Sequence, residues 1–178
     1  MGRPDHNHDV FLARQSFFDF GHPAGIAFRQ HEFIELRAFF ELLIDHLFEA
    51  LGWDLRNTAQ VAPQYREVVT EDSLDVEGQQ RAPDYAFRVG TTPKFYVEAK
   101  KCGVNINAAY APAYQLRRYG WSAKVALSIL TDFEELGVYD CALRPRSSDK
   151  ASHARIQYYR FEEYPDRWRE LWDVFSRE

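Results

Sequence analysis

The chain has 178 residues and a formal net charge of −5; 46% of its residues are hydrophobic, 28% charged and 16% aromatic. These values predict one globular domain, residues 1–178, and exclude a disordered chain. No run of about 18 apolar residues predicts a membrane span, and no apolar signal segment follows Met1, so we expect a cytoplasmic protein. Cys102 and Cys141 fit a reducing compartment as unpaired thiols. As an average, the negative charge argues against a nucleic-acid partner.

The first predicted helix runs from about Gln30 to Leu51, after an irregular segment at 1–24. Apolar residues recur there at three- and four-residue steps, and Gly52 provides a natural end. The apolar stripe consists of Phe33, Leu36, Phe40, Leu43, Ile44, Leu47 and Leu51.

Strands and one helix are predicted through the middle of the chain. Residues 58–70 look extended, and the acidic stretch 71–80 is predicted to be a loop or hairpin tip. The strands that follow are predicted at Asp84–Val89, Phe95–Lys100 (after a turn at Thr91–Pro93), Val125–Thr131, Gly137–Cys141 and Arg155–Tyr159. Pro112–Trp121 is predicted as a helix, since proline suits a first turn.

An amphipathic helix is predicted at the end of the chain. Its apolar face is formed by Tyr164, Trp168, Leu171, Trp172 and Phe175. The order helix, strands, helix, strands, helix predicts an α/β sandwich with a central mixed sheet flanked by helices.

Three residues in the middle of the chain carry the most chemical information. Glu98 and Lys100 lie two apart on a predicted strand, so both side chains project from the same face. Asp84 begins the preceding strand and would approach Glu98 if the two strands pair as a hairpin. Because two close carboxylates repel, a divalent cation between them is favourable, and Mg²⁺ takes one or two carboxylates with waters and phosphate oxygens. Lys100 would orient the attacking water or stabilise charge on a phosphate.

The segment Pro83-Asp84 followed by Glu98-Ala99-Lys100 resembles the PD-(D/E)xK nuclease motif. Gln115 and Tyr119, four apart on the next predicted helix, are similar to the QxxxY motif that follows the catalytic strand in several branches of that superfamily. Leu51-Gly52-Trp53-Asp54 is similar to the end of the first helix in restriction-enzyme nuclease domains. Residues 131–133 with 138–140 look like the strand pair that closes such domains. The resemblance covers about residues 30–175.

The resemblance implies a restriction-endonuclease-like αβα sandwich and a Mg²⁺-dependent DNA endonuclease of type I or type IIG, with Mn²⁺ as a substitute. It implies that Asp84 and Glu98 hold the metal, that Lys100 acts at the attacking water, and that Gln115 and Tyr119 support the site. The superfamily often adds a carboxylate from the first helix. Glu32 is our prediction for it, and Glu35 is the alternative.

The resemblance also implies double-stranded DNA as substrate, with 5′-phosphate and 3′-hydroxyl products. In related proteins the domain is joined to methyltransferase, target-recognition or helicase parts, so the chain is either a stand-alone nuclease or one domain of a longer protein. Duplex cutting by one site implies a transient homodimer or two successive nicks. A catalytically inactive DNA-binding or assembly module and an RNA nuclease are the alternatives.

The charge is unevenly distributed along the chain. From Arg81 to Lys124 there are eight basic and two acidic residues, a net charge of +6 that leaves −11 for the rest. The two acids are Asp84 and Glu98. We expect Lys101, Arg117 and Arg118 to contact phosphates, which provides affinity without sequence information. No recognition helix or zinc-finger pattern is present, so sequence specificity is expected from elsewhere.

Overall fold

The structure, a computed structural model, describes residues 42–70, 74–76, 79–101 and 104–178. The helices are α1 (42–50), α2 (Tyr110–Ala123) and α3 (Trp168–Phe175), with short 3-10 turns at Pro63–Tyr65 and Phe161–Glu163. The strands are β1 (Val68–Thr70), β2 (Leu74–Val76), β3 (Gln79–Arg81), β4 (Tyr85–Val89), β5 (Thr92–Ala99), β6 (Leu127–Thr131), β7 (Glu135–Asp140) and β8 (Arg155–Arg160). Within these ranges, no helix is long and apolar enough to cross a membrane.

Six of these strands form one mixed sheet in the order β1-β4-β5-β6-β7-β8, and β2 pairs with β3 separately. Neighbouring strands in the sheet are antiparallel except β5 and β6, which are parallel. A parallel pair needs a crossover connection, and α2 supplies it. This crossover places α2 directly after the strand that carries Glu98.

The alternation of side chains along the strands divides the core into two layers. On one face, Phe87 and Phe95 stack with ring centroids 4.5 Å apart and belong to the same buried cluster as Phe48 of α1 and Phe175 of α3. On the other face, a second cluster joins the strands to α2, and its members include Ala86, Tyr96, Leu130, Ala113, Leu116 and Tyr119. The predicted α/β fold, a mixed sheet flanked by helices, is therefore confirmed.

Gly120 allows α2 to pack closely against the end of β7. A Cβ atom added at Gly120 would lie 2.4 Å from the Cys141 Sγ, far inside van der Waals contact. The Cys141 thiol is buried and free, as expected from sequence, and burial raises its pKa to about 11. Cys102 lies outside the described residues.

Several predicted boundaries are wrong. Residues 58–70 are not extended throughout, because a 3-10 turn occupies Pro63–Tyr65 and the strand begins at Val68. The predicted turn at Thr91–Pro93 is shorter, since β5 already begins at Thr92. Of the two alternatives for 71–80, the structure has the hairpin-like one, with β2 paired to β3. The predicted first helix is described from residue 42 onward, and Phe33, Leu36 and Phe40 lie outside the described residues.

A buried carboxylate directly follows β6. Asp132 is 2% exposed, and its Oδ1 accepts the backbone N–H of Glu135 at 2.8 Å. Desolvation raises the pKa of Asp132 from 3.8 to about 6, and the charges of Glu134 and Glu135 act in the same direction. Because the folded-state pKa lies above the unfolded value, the folded state loses stability as pH rises through about 4 to 6.

We therefore expect Asp132→Asn to raise the free energy of unfolding relative to the parent, and we expect this gain to be about 2 kcal/mol larger at pH 7.5 than at pH 4.5. Asparagine keeps the oxygen that accepts the Glu135 N–H but carries no charge. Urea unfolding at both pH values measures the difference, with exposed Asp166→Asn as the matched control. An Asp132→Asn difference that is the same at both pH values would contradict the burial effect.

Candidate active site

The pairing of β4 with β5 brings the predicted carboxylates together. Tyr85 is registered opposite Val97, so Asp84, immediately before β4, comes opposite Glu98 near the end of β5. Side chains two apart on a strand share a face, so Glu98 lies on the same face of the sheet as Tyr96, which packs in the α2 layer. The antiparallel hairpin that the sequence hypothesis required for Asp84 to approach Glu98 is present.

Glu98 is the buried centre of the group. Its side chain is 4% exposed, and its Oε1 accepts hydrogen bonds from Lys100 Nζ at 2.6 Å and from Gln115 Nε2 at 3.2 Å. The other oxygen, Oε2, is buried and has no hydrogen-bond partner among the described residues. Desolvation raises the pKa of Glu98 and the Asp84 charge adds to this, while Lys100 acts in the opposite direction. The effect of burial on the pKa of Glu98 is therefore larger than the opposite effect of Lys100.

Asp84 is fixed by the backbone of the neighbouring strand. Its Oδ2 accepts the N–H of Ala99 at 2.7 Å. This hydrogen bond anchors the carboxylate beside the residue that follows Glu98. The Asp84 charge helps to raise the pKa of Glu98, as expected for two carboxylates placed opposite each other by the pairing of β4 with β5.

Helix α2 supplies the remaining predicted residues. Gln115 and Tyr119 are one helical turn apart, and Gln115 Nε2 donates to the Tyr119 Oη at 2.7 Å. Since the same amide donates to Glu98, the helix and the strand are joined by one hydrogen-bonded chain. The structure thus brings together Asp84, Glu98, Lys100, Gln115 and Tyr119.

The donor set bears on the predicted metal. Within the described residues there is no group of three or more His, Cys, Asp or Glu side chains that could hold a metal ion. Asp84 and Glu98 supply two carboxylates, and Mg²⁺ accepts one or two together with waters and phosphate oxygens. The unpartnered Glu98 Oε2 is an oxygen atom available to such an ion. Glu32 and Glu35, the predicted third carboxylates, lie outside the described residues.

One predicted phosphate contact is wrong. The Arg117 residue is 1% exposed, and its Nη1 is 2.7 Å from Asp149 Oδ2 while Nη2 donates to the Leu143 carbonyl at 3.3 Å. Arg117 lies on the buried face of α2 and cannot reach a nucleic acid. Lys101 is exposed and Arg118 is half-buried, so the burial that excludes Arg117 does not apply to them.

The sequence prediction also overlooked a group of cations in the connection between β7 and β8. Arg144, Arg146 and Lys150 are exposed there. The available signal was the composition of residues 142–154, which include these three cations and a single acid, Asp149.

Comparison with known proteins finds a similar restriction-modification enzyme. Over 137 residues, 76% of the chain, the sequence is 39% identical to the type II restriction enzyme and methyltransferase RM.Eco57I of Escherichia coli. The matched segment is 14% of the length of that enzyme, so the chain spans a small part of it. No family model and no solved structure matches the chain. The comparison supports a relationship to restriction-modification enzymes.

Proposed function

We propose that the chain is the nuclease domain of a restriction-modification enzyme, of the PD-(D/E)xK type, that hydrolyses phosphodiester bonds of double-stranded DNA with Mg²⁺ or Mn²⁺. The observation that carries the proposal is the Glu98 carboxylate. One of its oxygens is held by Lys100 and Gln115, and the other is buried without a partner in the described structure. Asp84 lies opposite it, immediately before the paired strand β4.

The state of Glu98 favours a bound cation. A buried polar atom without a hydrogen bond costs about 1–3 kcal/mol, so such atoms are retained where they have a function. Asp84 and Glu98 would hold the ion, with Glu32 or Glu35 as a further ligand. When bound, Mg²⁺ supplies Lewis-acid polarisation of the scissile phosphate.

Each remaining residue has a role in preparing the site. The Lys100 side chain is 27% exposed, so its ammonium group is open enough to orient the attacking water and to stabilise negative charge on the phosphate. Gln115 holds the Glu98 Oε1, which fixes the direction of the second oxygen. Tyr119 receives a hydrogen bond from the Gln115 amide and holds that side chain in place. The products are a 5′-phosphate and a 3′-hydroxyl.

The similar protein suggests the partners. It is described as both a restriction enzyme and a methyltransferase, and the chain matches 14% of it. We infer that this domain works with methyltransferase and target-recognition parts, in a type IIG or type I arrangement, or with a helicase. These parts provide the sequence specificity, the protein acts in the cytoplasm, and duplex cutting proceeds through a transient homodimer or two nicks.

The proposal is tested with Asp84→Asn, which keeps an oxygen to accept the Ala99 N–H but removes the charge. We expect at least about a 100-fold loss of Mg²⁺-dependent nicking of supercoiled plasmid, with unchanged thermal unfolding. Asp166→Asn, an exposed carboxylate on another part of the chain, is the control. An Asp84→Asn protein that nicks DNA as well as the parent would show that the assignment is wrong.

Calorimetric titration separates the nuclease from an inactive module. A nuclease binds Mn²⁺ or Mg²⁺, and Asp84→Asn weakens that binding. A parent protein that binds duplex DNA but neither metal would favour the inactive DNA-binding or assembly module. Parallel assays with single-stranded RNA separate a DNA nuclease from an RNA nuclease.

A further inference from the structure

A cleft of about 820 Å³ lies between the C-terminal end of α2 and the connection from β7 to β8. Three cationic side chains line it, those of Arg118, Lys124 and Arg144, and none of its described lining residues is acidic. The chain as a whole is negative, with a net charge of −5. A concave surface with one sign of charge, in a protein of the other sign, indicates an anionic ligand.

The connection from β7 to β8, residues 141–154, adds further positive charge. Arg146 and Lys150 are exposed there, like Arg144. The one acid of this segment, Asp149, is paired with buried Arg117 at 2.7 Å. The pair neutralises the acid, so that the outward charge of the segment is positive.

The same segment is held firmly against α2. Arg117 binds both the Asp149 side chain and the Leu143 carbonyl. The Tyr110 hydroxyl, at the start of α2, donates to the Ser147 carbonyl at 3.0 Å. These contacts fix the cleft before any ligand arrives, which reduces the entropic cost of binding.

The cleft also contains apolar surface. Trp121 and Pro145 line it, and Trp121 is 42% exposed. Cations interleaved with an exposed aromatic ring suit the sugar–phosphate backbone of a nucleic acid better than a small inorganic anion.

Helix α2 connects this cleft to the candidate active site. Gln115 donates to Glu98 and to the Tyr119 hydroxyl, while Arg118 and Trp121 of the same helix line the cleft. We propose that the cleft binds the phosphate backbone of duplex DNA away from the scissile phosphate. This inference rests on the proposed nuclease function, which it deepens by assigning a DNA-binding surface.

The test removes two charges, in the double variant Lys124→Gln/Arg144→Gln. Its affinity for a fluorescent 30-base-pair duplex is measured by anisotropy without divalent metal, from about 50 to 200 mM NaCl. The slope of log K against log salt is negative, and each lost phosphate contact reduces its magnitude by about 0.9, so we expect a reduction of about 1.8 and at least about tenfold weaker binding at low salt.

The matched control is Arg56→Gln/Arg169→Gln, which makes the same charge change. Arg56 pairs with Glu49 and Arg169 with Asp173, and both are exposed. We expect the control double variant to keep the parental salt slope to within about one half of one phosphate contact. If both double variants lost DNA affinity equally, net charge alone would explain the loss, and the proposal would be overturned.

Two results distinguish this inference from the proposed function. A parent that does not bind duplex DNA, or a cleft variant with the parental affinity and salt slope, overturns the DNA-binding surface even if Asp84→Asn abolishes cleavage. Loss of binding in the cleft variant alone supports the surface even if Asp84→Asn leaves cleavage unchanged. In that case the nuclease assignment fails and the cleft assignment stands.

Discussion

Replacing Glu98 with glutamine should abolish Mg²⁺-dependent DNA cleavage and at the same time stabilise the fold. The carboxylate is 4% exposed, and its pKa is raised chiefly by desolvation. Because the folded-state pKa lies above the unfolded value, the charged form of Glu98 destabilises the folded protein at neutral pH. Glutamine has the same shape and keeps an oxygen for Lys100 and Gln115, and the Lys100 side chain is 27% exposed and so keeps its contact with water. The free energy of unfolding should therefore rise by about 1 kcal/mol.

The loss of cleavage has a separate cause. An amide cannot supply the negative charge that the proposed Mg²⁺ site needs, so plasmid nicking should fall by at least about 100-fold. Plasmid nicking and urea unfolding at pH 7.5 measure the two effects on one protein sample. A Glu98→Gln protein that cleaves normally contradicts the proposed role, and one that is less stable than the parent contradicts the desolvation argument.

Lys100→Gln is the matched control for the sign of the stability effect. It should also abolish cleavage, but it removes the cation that opposes the raised pKa of Glu98. The buried carboxylate then loses its charged partner, so the free energy of unfolding should fall. Stability changes of opposite sign, with the same loss of cleavage, identify Glu98 as a buried charge retained for function.

The arrangement of Asp84, Glu98 and Lys100 could be predicted because it depends on local geometry. Strand side chains alternate between faces, so Glu98 and Lys100 share a face whatever the rest of the fold does. A short connection between two strand patterns makes antiparallel pairing the simplest arrangement, and pairing sets Asp84 opposite Glu98. The proximity of Gln115 and Tyr119 could be predicted in the same way, because residues four apart on a helix are always neighbours.

The position of Pro93 could not be predicted from such rules. Proline cannot donate to a ladder, so it was expected in a turn. In the structure it is the second residue of β5 and is registered opposite Arg88 of β4. The pairing of β5 with β6 begins only at Phe95, which leaves that side of Pro93 without a partner strand and makes proline acceptable.

The burial of Arg117 required information from a distant part of the chain. Two adjacent arginines in a basic segment favour an exposed phosphate-binding pair, and Arg118 is indeed partly exposed. Arg117, however, is buried in α2 like Leu116 and Gly120, and it packs against the connection that carries Asp149. Its partner Asp149 lies 32 residues further along, in a connection whose path cannot be read from the spacing of residues.

Among the substitutions proposed, breaking the ion pair between Arg117 and Asp149 should lower the free energy of unfolding most. Arg117→Met removes the cation and leaves Asp149, whose side chain is 8% exposed, without its buried partner. The pKa of Asp149 is held low first by the backbone N–H of Arg146 and then by Arg117, so the carboxylate stays charged at neutral pH. Removing one member of a buried pair costs about 3–5 kcal/mol, and we expect about 3 kcal/mol because Asp149 retains some contact with water.

The double variant Arg117→Met/Asp149→Asn tests whether the pair itself is responsible. It leaves no uncompensated charge, so most of the lost stability should return, giving a coupling of at least about 1 kcal/mol in a double-mutant cycle. Arg169→Met is the surface control, expected within about 0.5 kcal/mol of the parent, because its side chain is 85% exposed.

Limited proteolysis measures how firmly residues 141–154 are held against the rest of the protein. Arg117 anchors residues 141–154 through both Asp149 and the Leu143 carbonyl, so its loss should free that segment. Trypsin should then cut Arg117→Met after Arg146 and Lys150 faster than it cuts the parent, with the sites identified by fragment masses. If cutting at these sites and the free energy of unfolding both matched the parent, the pair would not hold the cleft, and the fixed geometry that we infer for DNA binding would lose its support.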